Sequence, residues 1–264
     1  MNSIYAFGGE YNLGYQRSVN EDFIDAVSLD EKTLFLAVAD GAGSLPGELQ
    51  PAAIAVCETV AVIRRYFQQH KDVLLSIPET VIAEAMQTAN RVLNVFHICD
   101  EEKYAGFGAS LTCCLVDQIS GETKMAVAST GNTRLYLLRM QKDRTPALHQ
   151  LTTDQTKATE LLNSGIITPE QYYAHPDRLL LTGALGITAE PVIQTIEDLP
   201  LRKDDIVILT SDGIHYAIRP EAMSSIILES GSCADASKSL IEAAKLEKYP
   251  DNMSVVIAYL LPLK

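Results

Sequence analysis

Several acidic residues of this chain stand where an apolar segment begins or ends, and carboxylates placed in this way can act together. Asp40 closes the apolar run of residues 34–39 and is followed by Gly41, while Asp212 follows a second apolar run and precedes Gly213. A glycine beside the carboxylate lets an ion approach the backbone closely. Three further acidic residues stand beside strand-like segments: Glu21, Asp22 and Asp251.

Carboxylates that converge at the end of a sheet repel one another, and they take up protons unless cations compensate their charge. Oxygen ligands of this kind select hard divalent ions such as Mg²⁺ and Mn²⁺. Zinc is disfavoured because no Cys or His pattern accompanies these carboxylates. A single Asp-Gly pair at a strand end is more often an ordinary turn, so the prediction of a metal site depends on the whole set.

Composition restricts the class of protein. With 264 residues, 47% of them hydrophobic, the chain can bury a large core, and we expect a single domain over residues 1–264. The formal net charge of −13 argues against a nucleic-acid partner, because such affinity comes mainly from Lys and Arg. No apolar segment is long enough for a membrane span, and the N-terminal residues lack the pattern of an export signal. We therefore expect a monomeric cytoplasmic protein without a membrane partner.

Hydrophobic periodicity predicts which elements carry the acidic residues. Residues 33–40 form a short apolar run whose β-branched and aromatic content is typical of a strand buried on both faces. Apolar residues at helical spacing predict two amphipathic helices, over residues 53–67 and 82–96. Ser76 and Glu79 predict a capping box at the start of the second helix.

Apolar segments with strand-like alternation predict most of the remaining elements. Three of them, separated by glycine-containing turns, predict an antiparallel meander: residues 110–117, 123–130 and 134–140. We expect other strands at 4–12, 23–28, 192–196, 206–210 and 253–260, and further helices at 220–229 and 233–246. The segment near 152–186 starts with helical signals and continues with prolines, glycines and tyrosines, which predicts a flap.

Eight short motifs occur along the chain: RSVNED, VADGAG, GASLT, STGNTRLYLL, LTTDQT, LTGALG, LTSDG and DNMSVV. In this order and spacing they resemble the PPM family, the type 2C metal-dependent Ser/Thr protein phosphatases, and most of all its compact bacterial members. Each motif alone is weakly specific, but the ordered set is specific and covers nearly the whole chain. The resemblance implies an α+β fold, a four-layer α-β-β-α sandwich in which two central antiparallel sheets are flanked by antiparallel helix pairs.

The resemblance also implies a core site with two Mn²⁺ or Mg²⁺ ions. Asp40 would bridge the two ions, and the Gly41 carbonyl would bind one of them. Asp212 and Asp251 would hold the other ion. Two more acidic residues would bind metal-coordinated waters: Glu21 and Asp22.

The reaction implied by the resemblance is hydrolysis of a phosphoserine or phosphothreonine monoester in a protein. A water that bridges the two ions would attack phosphorus in line with the departing Ser or Thr oxygen, so that no phosphoenzyme forms. Arg17 would bind the substrate phosphate through its guanidinium, and it would complete the catalytic set with Asp40, Asp212 and Asp251. The implied partners are phosphorylated proteins and a cognate Ser/Thr kinase with its targets.

Three positions depart from the motifs of the family. Asn132 replaces the Asp of GDSR, which is associated with a third metal ion, so we expect a two-ion core with little affinity for a third. Asp154 is the nearest carboxylate in sequence that could replace it. Gln155 stands where LTxDHS has His, and Gly183 stands where the flap motif has its second Arg.

These departures leave two other hypotheses open. In the first, the chain is a metal-binding pseudophosphatase that acts as a phosphoprotein-binding or regulatory module. In the second, it hydrolyses a small phosphate ester. The intact set of metal carboxylates, together with Arg17, favours an active protein phosphatase, because a pure binding module has little physical reason to keep that set.

Overall fold

The computed structural model describes residues 5–44, 50–119 and 121–260. Within these ranges the chain forms ten β-strands and eight α-helices. The strands are β1 (Tyr5–Asn12), β2 (Asp22–Ser28), β3 (Thr33–Ala42), β4 (Gly108–Ile119), β5 (Glu122–Thr130), β6 (Arg134–Met140), β7 (Pro146–Gln150), β8 (Gln194–Leu201), β9 (Ile206–Thr210) and β10 (Met253–Leu260). The helices are α1 (Pro51–Gln69), α2 (Lys71–Ser76), α3 (Pro78–Cys99), α4 (Lys157–Asn163), α5 (Pro169–Ala174), α6 (Asp212–His215), α7 (Pro220–Glu229) and α8 (Cys233–Leu246).

The strands form two antiparallel five-stranded sheets. One has the order β1-β10-β9-β6-β7 and the other has the order β2-β3-β4-β5-β8. Their inner faces pack together around apolar side chains such as Leu36, Val127 and Leu209. Residues 34–39 of β3 are fully buried, as their apolar run predicts. The strand predicted at 4–12 is β1, and Ile4 lies outside the described residues.

Helices cover the outer face of each sheet. α1 and α3 pack on β3, β4 and β5 around side chains such as Ile63 and Met86. α8 packs on β1 and β10, with α7 beside it, around side chains such as Met223 and Leu240. The two predicted amphipathic helices and the sandwich of helices and sheets are confirmed. None of the helices in the described chain is long and apolar enough to cross a membrane.

The predicted meander is wrong at its third strand. β4 and β5 pair antiparallel, but β6 lies in the opposite sheet between β7 and β9. The chain changes sheets at the turn after β5, where Gly131 has a φ of 92° and a β-carbon would lie 2.2 Å from Ser110 Oγ. Only glycine meets both conditions. Side-chain alternation could not reveal this change, because it is the same whichever sheet a strand joins.

The predicted capping box at the second long helix is also wrong. Ser76 is the last residue of α2, a short helix that the sequence pattern does not predict. Ile77 is the N-cap of α3 and makes no side-chain cap hydrogen bond. Pro78 occupies the first position of α3, where the backbone N–H that it lacks would have no partner within the helix.

The flap predicted near 152–186 contains α4, α5 and a short 3₁₀ helix at Pro176–Leu179. Two isolated β-bridges hold this segment: one joins its end to β4 and the other lies within it. Leu185 pairs with Ala109 of β4, and Leu181 pairs with Thr156. The end of the flap therefore lies beside β4, while its mobility stays a prediction.

Candidate metal centre

The start of β2 and the end of β3 bring acidic residues together at one edge of their sheet. Asp22 lies opposite Asp40 in the antiparallel register. The Gly41 N–H donates to the Glu21 carbonyl oxygen at 3.1 Å. A β-carbon at Gly41 would lie 2.7 Å from that oxygen, so glycine is needed for the two segments to meet.

The other sheet contributes the remaining two aspartates. Asp212 follows β9 as the first residue of α6, and Asp251 comes just before β10. Ser211, beside Asp212, donates from Oγ to Asp22 Oδ2 at 2.7 Å and so joins the two sheets. We call Asp22, Asp40, Asp212 and Asp251 the acidic cluster.

Asp22 and Asp212 are buried, Asp40 and Asp251 are partly buried, and the charges of the four carboxyl groups act on one another. Burial, followed by the neighbouring carboxylates of Asp212, Asp22 and Asp251, raises the pKa of Asp40 well above its ordinary value. Burial, with Asp251 and Asp22 as the next causes, raises the pKa of Asp212 to about 8. Burial is also the main cause that raises the pKa of Asp22 to about 6. The protein therefore leaves this negative charge largely uncompensated, which is the condition that a bound divalent cation reverses.

Asp212 has one carboxylate oxygen that the described residues leave unsatisfied. Its Oδ2 accepts a hydrogen bond from Asn132 Nδ2 at 3.2 Å. Its Oδ1 is buried and has no hydrogen-bond partner among the residues that the structure describes. Leaving such a group unpaired costs roughly 1–3 kcal/mol, and coordination to a hard cation would satisfy the oxygen. The donor set therefore fits Mn²⁺ or Mg²⁺.

Asp251 is turned toward Arg17. The guanidinium donates to a carboxylate oxygen of Asp251 at 2.9 Å and lies 3.4 Å from Glu21 Oε2. Across the described parts of the chain, no three His, Cys, Asp or Glu side chains form a ready-made metal cage. The predicted ligands therefore lie near one another without forming a closed cage, and Asp251 is engaged by Arg17.

Glu21 and Asn252 fix the loop that carries Arg17. Glu21 Oε1 accepts from the Ser44 N–H at 3.1 Å. Asn252 accepts from the Glu21 N–H at 2.8 Å and donates to the carbonyls of Leu13 and Val19 at 2.8 and 3.1 Å. Sequence reasoning did not single out Asn252, although it belongs to the DNMSVV motif that also contains Asp251.

The structure argues against Asp154 as a replacement for the carboxylate missing at Asn132. Asp154 is buried and accepts from Arg134 Nε and from one of its terminal nitrogens, both at 2.7 Å. Its Oδ2 also accepts from the hydroxyl of Tyr172 at 2.9 Å and from that of Tyr216 at 3.2 Å. Its oxygens are therefore already compensated by the protein.

Relatives of the chain are named as phosphatases. It is 23% identical over 257 residues to Protein phosphatase PhpP from Streptococcus pneumoniae, and the aligned region covers 93% of this chain and 94% of that protein. It is 29% identical over 261 residues to Serine/threonine protein phosphatase PstP from Mycobacterium tuberculosis, and the aligned region covers 97% of this chain and 45% of that protein.

Solved structures and a family model agree with these relatives. The catalytic domain of PstP, in a crystal structure with 2 manganese ions, matches the fold with a TM-score of 0.77 and 24% identity over 98% of this chain and 99% of that one. A model of the family described as Protein phosphatase 2C matches residues 14–249. This match spans most of the chain and includes the whole acidic cluster except Asp251, so the protein belongs to the protein phosphatase 2C family.

Proposed function

We propose that this chain hydrolyses phosphoserine and phosphothreonine monoesters in cytoplasmic proteins, with two divalent ions held by Asp40, Asp212, Asp251 and the Gly41 carbonyl. The observation that carries this proposal is the buried, unpaired Oδ1 of Asp212 within a cluster of uncompensated carboxylates. Membership of the protein phosphatase 2C family makes the chain a Ser/Thr protein phosphatase and disfavours the pseudophosphatase hypothesis.

In this reaction the carboxylates of the acidic cluster would hold the divalent ions and orient water. When bound, the divalent ions acidify coordinated water and neutralise charge on the phosphate. Asp40 lies at the end of a buried strand and Asp212 at the start of a helix that packs closely on residue 252, so both carboxylates are held rigidly. Glu21 and Asp22 border the same space and would orient water by accepting its hydrogens.

Arg17 is suited to binding the phosphate. Its side chain is 44% exposed, and it lies at the entrance to the acidic cluster, where it pairs with Asp251. A guanidinium can donate two parallel hydrogen bonds to phosphate oxygens. We propose that the substrate phosphate replaces the carboxylate partners of Arg17, so that the leaving Ser or Thr oxygen faces solvent.

The test is hydrolysis of an aryl phosphate and of a phosphothreonine peptide, with Mn²⁺ and with EDTA. We expect both substrates to be hydrolysed with Mn²⁺ and neither with EDTA. Binding of the peptide without hydrolysis would support the pseudophosphatase hypothesis. Hydrolysis of the aryl phosphate alone would support the hypothesis of a small phosphate ester as substrate.

A further inference from the structure

Gln155 holds the turn at which the chain crosses from one sheet to the other. Its Oε1 accepts from Thr130 Oγ1 and from the Gly131 N–H, both at 2.9 Å. Its backbone N–H donates to the Gly131 carbonyl at 2.8 Å. Its Nε2 donates to the Val192 carbonyl at 2.9 Å. Both the backbone and the side chain of Gln155 therefore restrain the residue that precedes Asn132.

Gly183 provides the space in which the Gln155 side chain lies. A β-carbon at position 183 would be 2.1 Å from Gln155 Oε1 and 2.9 Å from its Cδ. The backbone at Gly183 does not have a positive φ, so glycine is needed here for space and not for backbone conformation. The neighbouring Thr182 N–H donates to the Gln155 carbonyl at 2.8 Å, which brings the end of the flap against this side chain.

The turn restrained by Gln155 aims the Asn132 amide at Asp212. Asn132 is only 3% exposed. Its Oδ1 accepts from Ser110 Oγ at 2.8 Å, and its Nδ2 donates to Asp212 Oδ2 at 3.2 Å. With Oδ2 engaged in this way, the unpaired Oδ1 of Asp212 is the oxygen left for a ligand.

We propose that Gln155 is a positioning residue that orients Asp212 through Gly131 and Asn132, and that Gly183 is its matched partner in the flap. The contacts of Asn132, Gln155 and Gly183 then link the end of the flap to the acidic cluster. The part of this proposal that concerns Asp212 as a metal ligand rests on the proposed function. The contact between Gln155 and Gly183 does not.

The contact is tested by a double-mutant cycle of Gly183→Ala and Gln155→Ala, followed by thermal unfolding in EDTA. Gly183→Ala should lower the midpoint in the otherwise unchanged protein, because its methyl group displaces the Gln155 side chain. The same change should have little further effect when Gln155 is already Ala. If the midpoint change of the double variant equals the sum of the two single changes, the proposed contact between Gln155 and Gly183 is wrong. Gly231→Ala is the matched control, since a β-carbon there has only one neighbour, at 3.7 Å.

The positioning role is tested by kinetics and by Mn²⁺ binding. Gln155→Ala should lower kcat and raise the half-saturating Mn²⁺ concentration, each by roughly 10-fold, with KM changed less than kcat. Gln194→Ala is the control: the Gln194 side chain donates to the Thr153 carbonyl and accepts from the Thr153 N–H, at 2.6 and 3.1 Å. Both hydrogen bonds reach the backbone two residues before Gln155 and neither reaches the Gly131 turn.

If Gln155→Ala and Gln194→Ala change kcat and Mn²⁺ dependence equally, the positioning role is wrong. If the unaltered protein hydrolyses neither substrate with Mn²⁺, the proposed function fails. Mn²⁺-induced thermal shifts of the same variants would then decide the positioning role, because they require no turnover.

Discussion

Asp154 and Asp212 are almost equally buried, at 4% and 5% exposure, but the protein compensates them in opposite ways. Asp154 receives two hydrogen bonds from Arg134 and two from tyrosine hydroxyls. Asp212 receives one amide hydrogen bond and keeps one oxygen unpaired. The comparison separates a carboxylate that the protein satisfies fully from one that it leaves partly unsatisfied, which we propose is available to a ligand.

The difference follows from electrostatics. A buried carboxylate is stable as an anion only when cations or several donors surround it. Arg134 supplies that cation to Asp154, whereas burial, followed by the nearby carboxylates of Asp251 and Asp22, raises the pKa of Asp212. Removing a negative charge should therefore destabilise the fold at Asp154 and should not destabilise it in the acidic cluster.

The largest effect is expected on activity, from Asp40→Asn. A neutral amide cannot balance two divalent cations, so Mn²⁺-dependent hydrolysis should fall by at least about 1,000-fold, or ~4 kcal/mol in activation free energy. The thermal midpoint in EDTA should stay the same or rise, because one of several like charges is gone. Kinetics and circular dichroism test both statements. Hydrolysis within about 10-fold of the original rate would contradict the assignment of Asp40.

Asp154→Asn should act on stability. Removing one partner of a buried ion pair leaves Arg134 uncompensated and should lower the free energy of unfolding by about 3–5 kcal/mol. Tyr172→Phe removes a single donor to the same carboxylate and should have a smaller effect, about 1 kcal/mol. Urea unfolding measures both. Equal stability of Asp154→Asn and the unaltered protein would show that the pair does not stabilise the fold.

The metal-free protein should lose stability as pH rises from about 6 to 8. The folded-state pKa values of Asp22 and Asp212 are raised to about 6 and about 8. A raised pKa means that the folded state binds more protons than the unfolded chain, so its stabilisation is lost as pH rises through those values. In EDTA the midpoint should fall by several degrees, since each kcal/mol corresponds to roughly 2–4 °C in a chain of this size.

Excess Mn²⁺ should remove that dependence, because it compensates the same charges. A midpoint in EDTA that rises between pH 6 and 8 would contradict the burial of uncompensated carboxylates. Asp212→Asn should show a shallower fall than the unaltered protein, since one of the titrating groups is absent.

Asn132→Asp should have the smallest effect, and its sign should depend on Mn²⁺. At low Mn²⁺ the activity should fall a few-fold, because Asp212 loses a donor and gains a negative neighbour. At high Mn²⁺ the added carboxylate should create an extra weak binding event and recover or increase activity. Metal titration with activity measured at each concentration tests this. Unchanged activity and stoichiometry at every concentration would mean that position 132 does not affect metal binding.

Much of the fold could be predicted from local patterns. The buried run of β3, the stripes of α1 and α3 and the ordered motifs each depend on residues close in sequence. The crossing at Gly131 could not be predicted in this way, because it depends on contact with Ser110 of another strand.

The site was predicted less completely than the fold. The motifs indicated the aspartates, but not the ion pair of Arg134 with Asp154 or the contact of Gln155 with Gly183. Both contacts join residues at least 20 positions apart through side-chain geometry, which neither periodicity nor composition encodes.

The most direct test of the central claim is the shift in thermal midpoint on addition of Mn²⁺ at pH 8. At 100 times its dissociation constant, a ligand that binds only the folded state adds about 2.7 kcal/mol to the free energy of unfolding. We predict that Mn²⁺ raises the midpoint of the unaltered protein by the amount that corresponds to this free energy. The midpoint of Asp154→Asn should start lower and rise by the same amount. Asp212→Asn should show little or no shift. Equal shifts in Asp212→Asn and the unaltered protein would contradict the claim that the acidic cluster is kept for divalent ions.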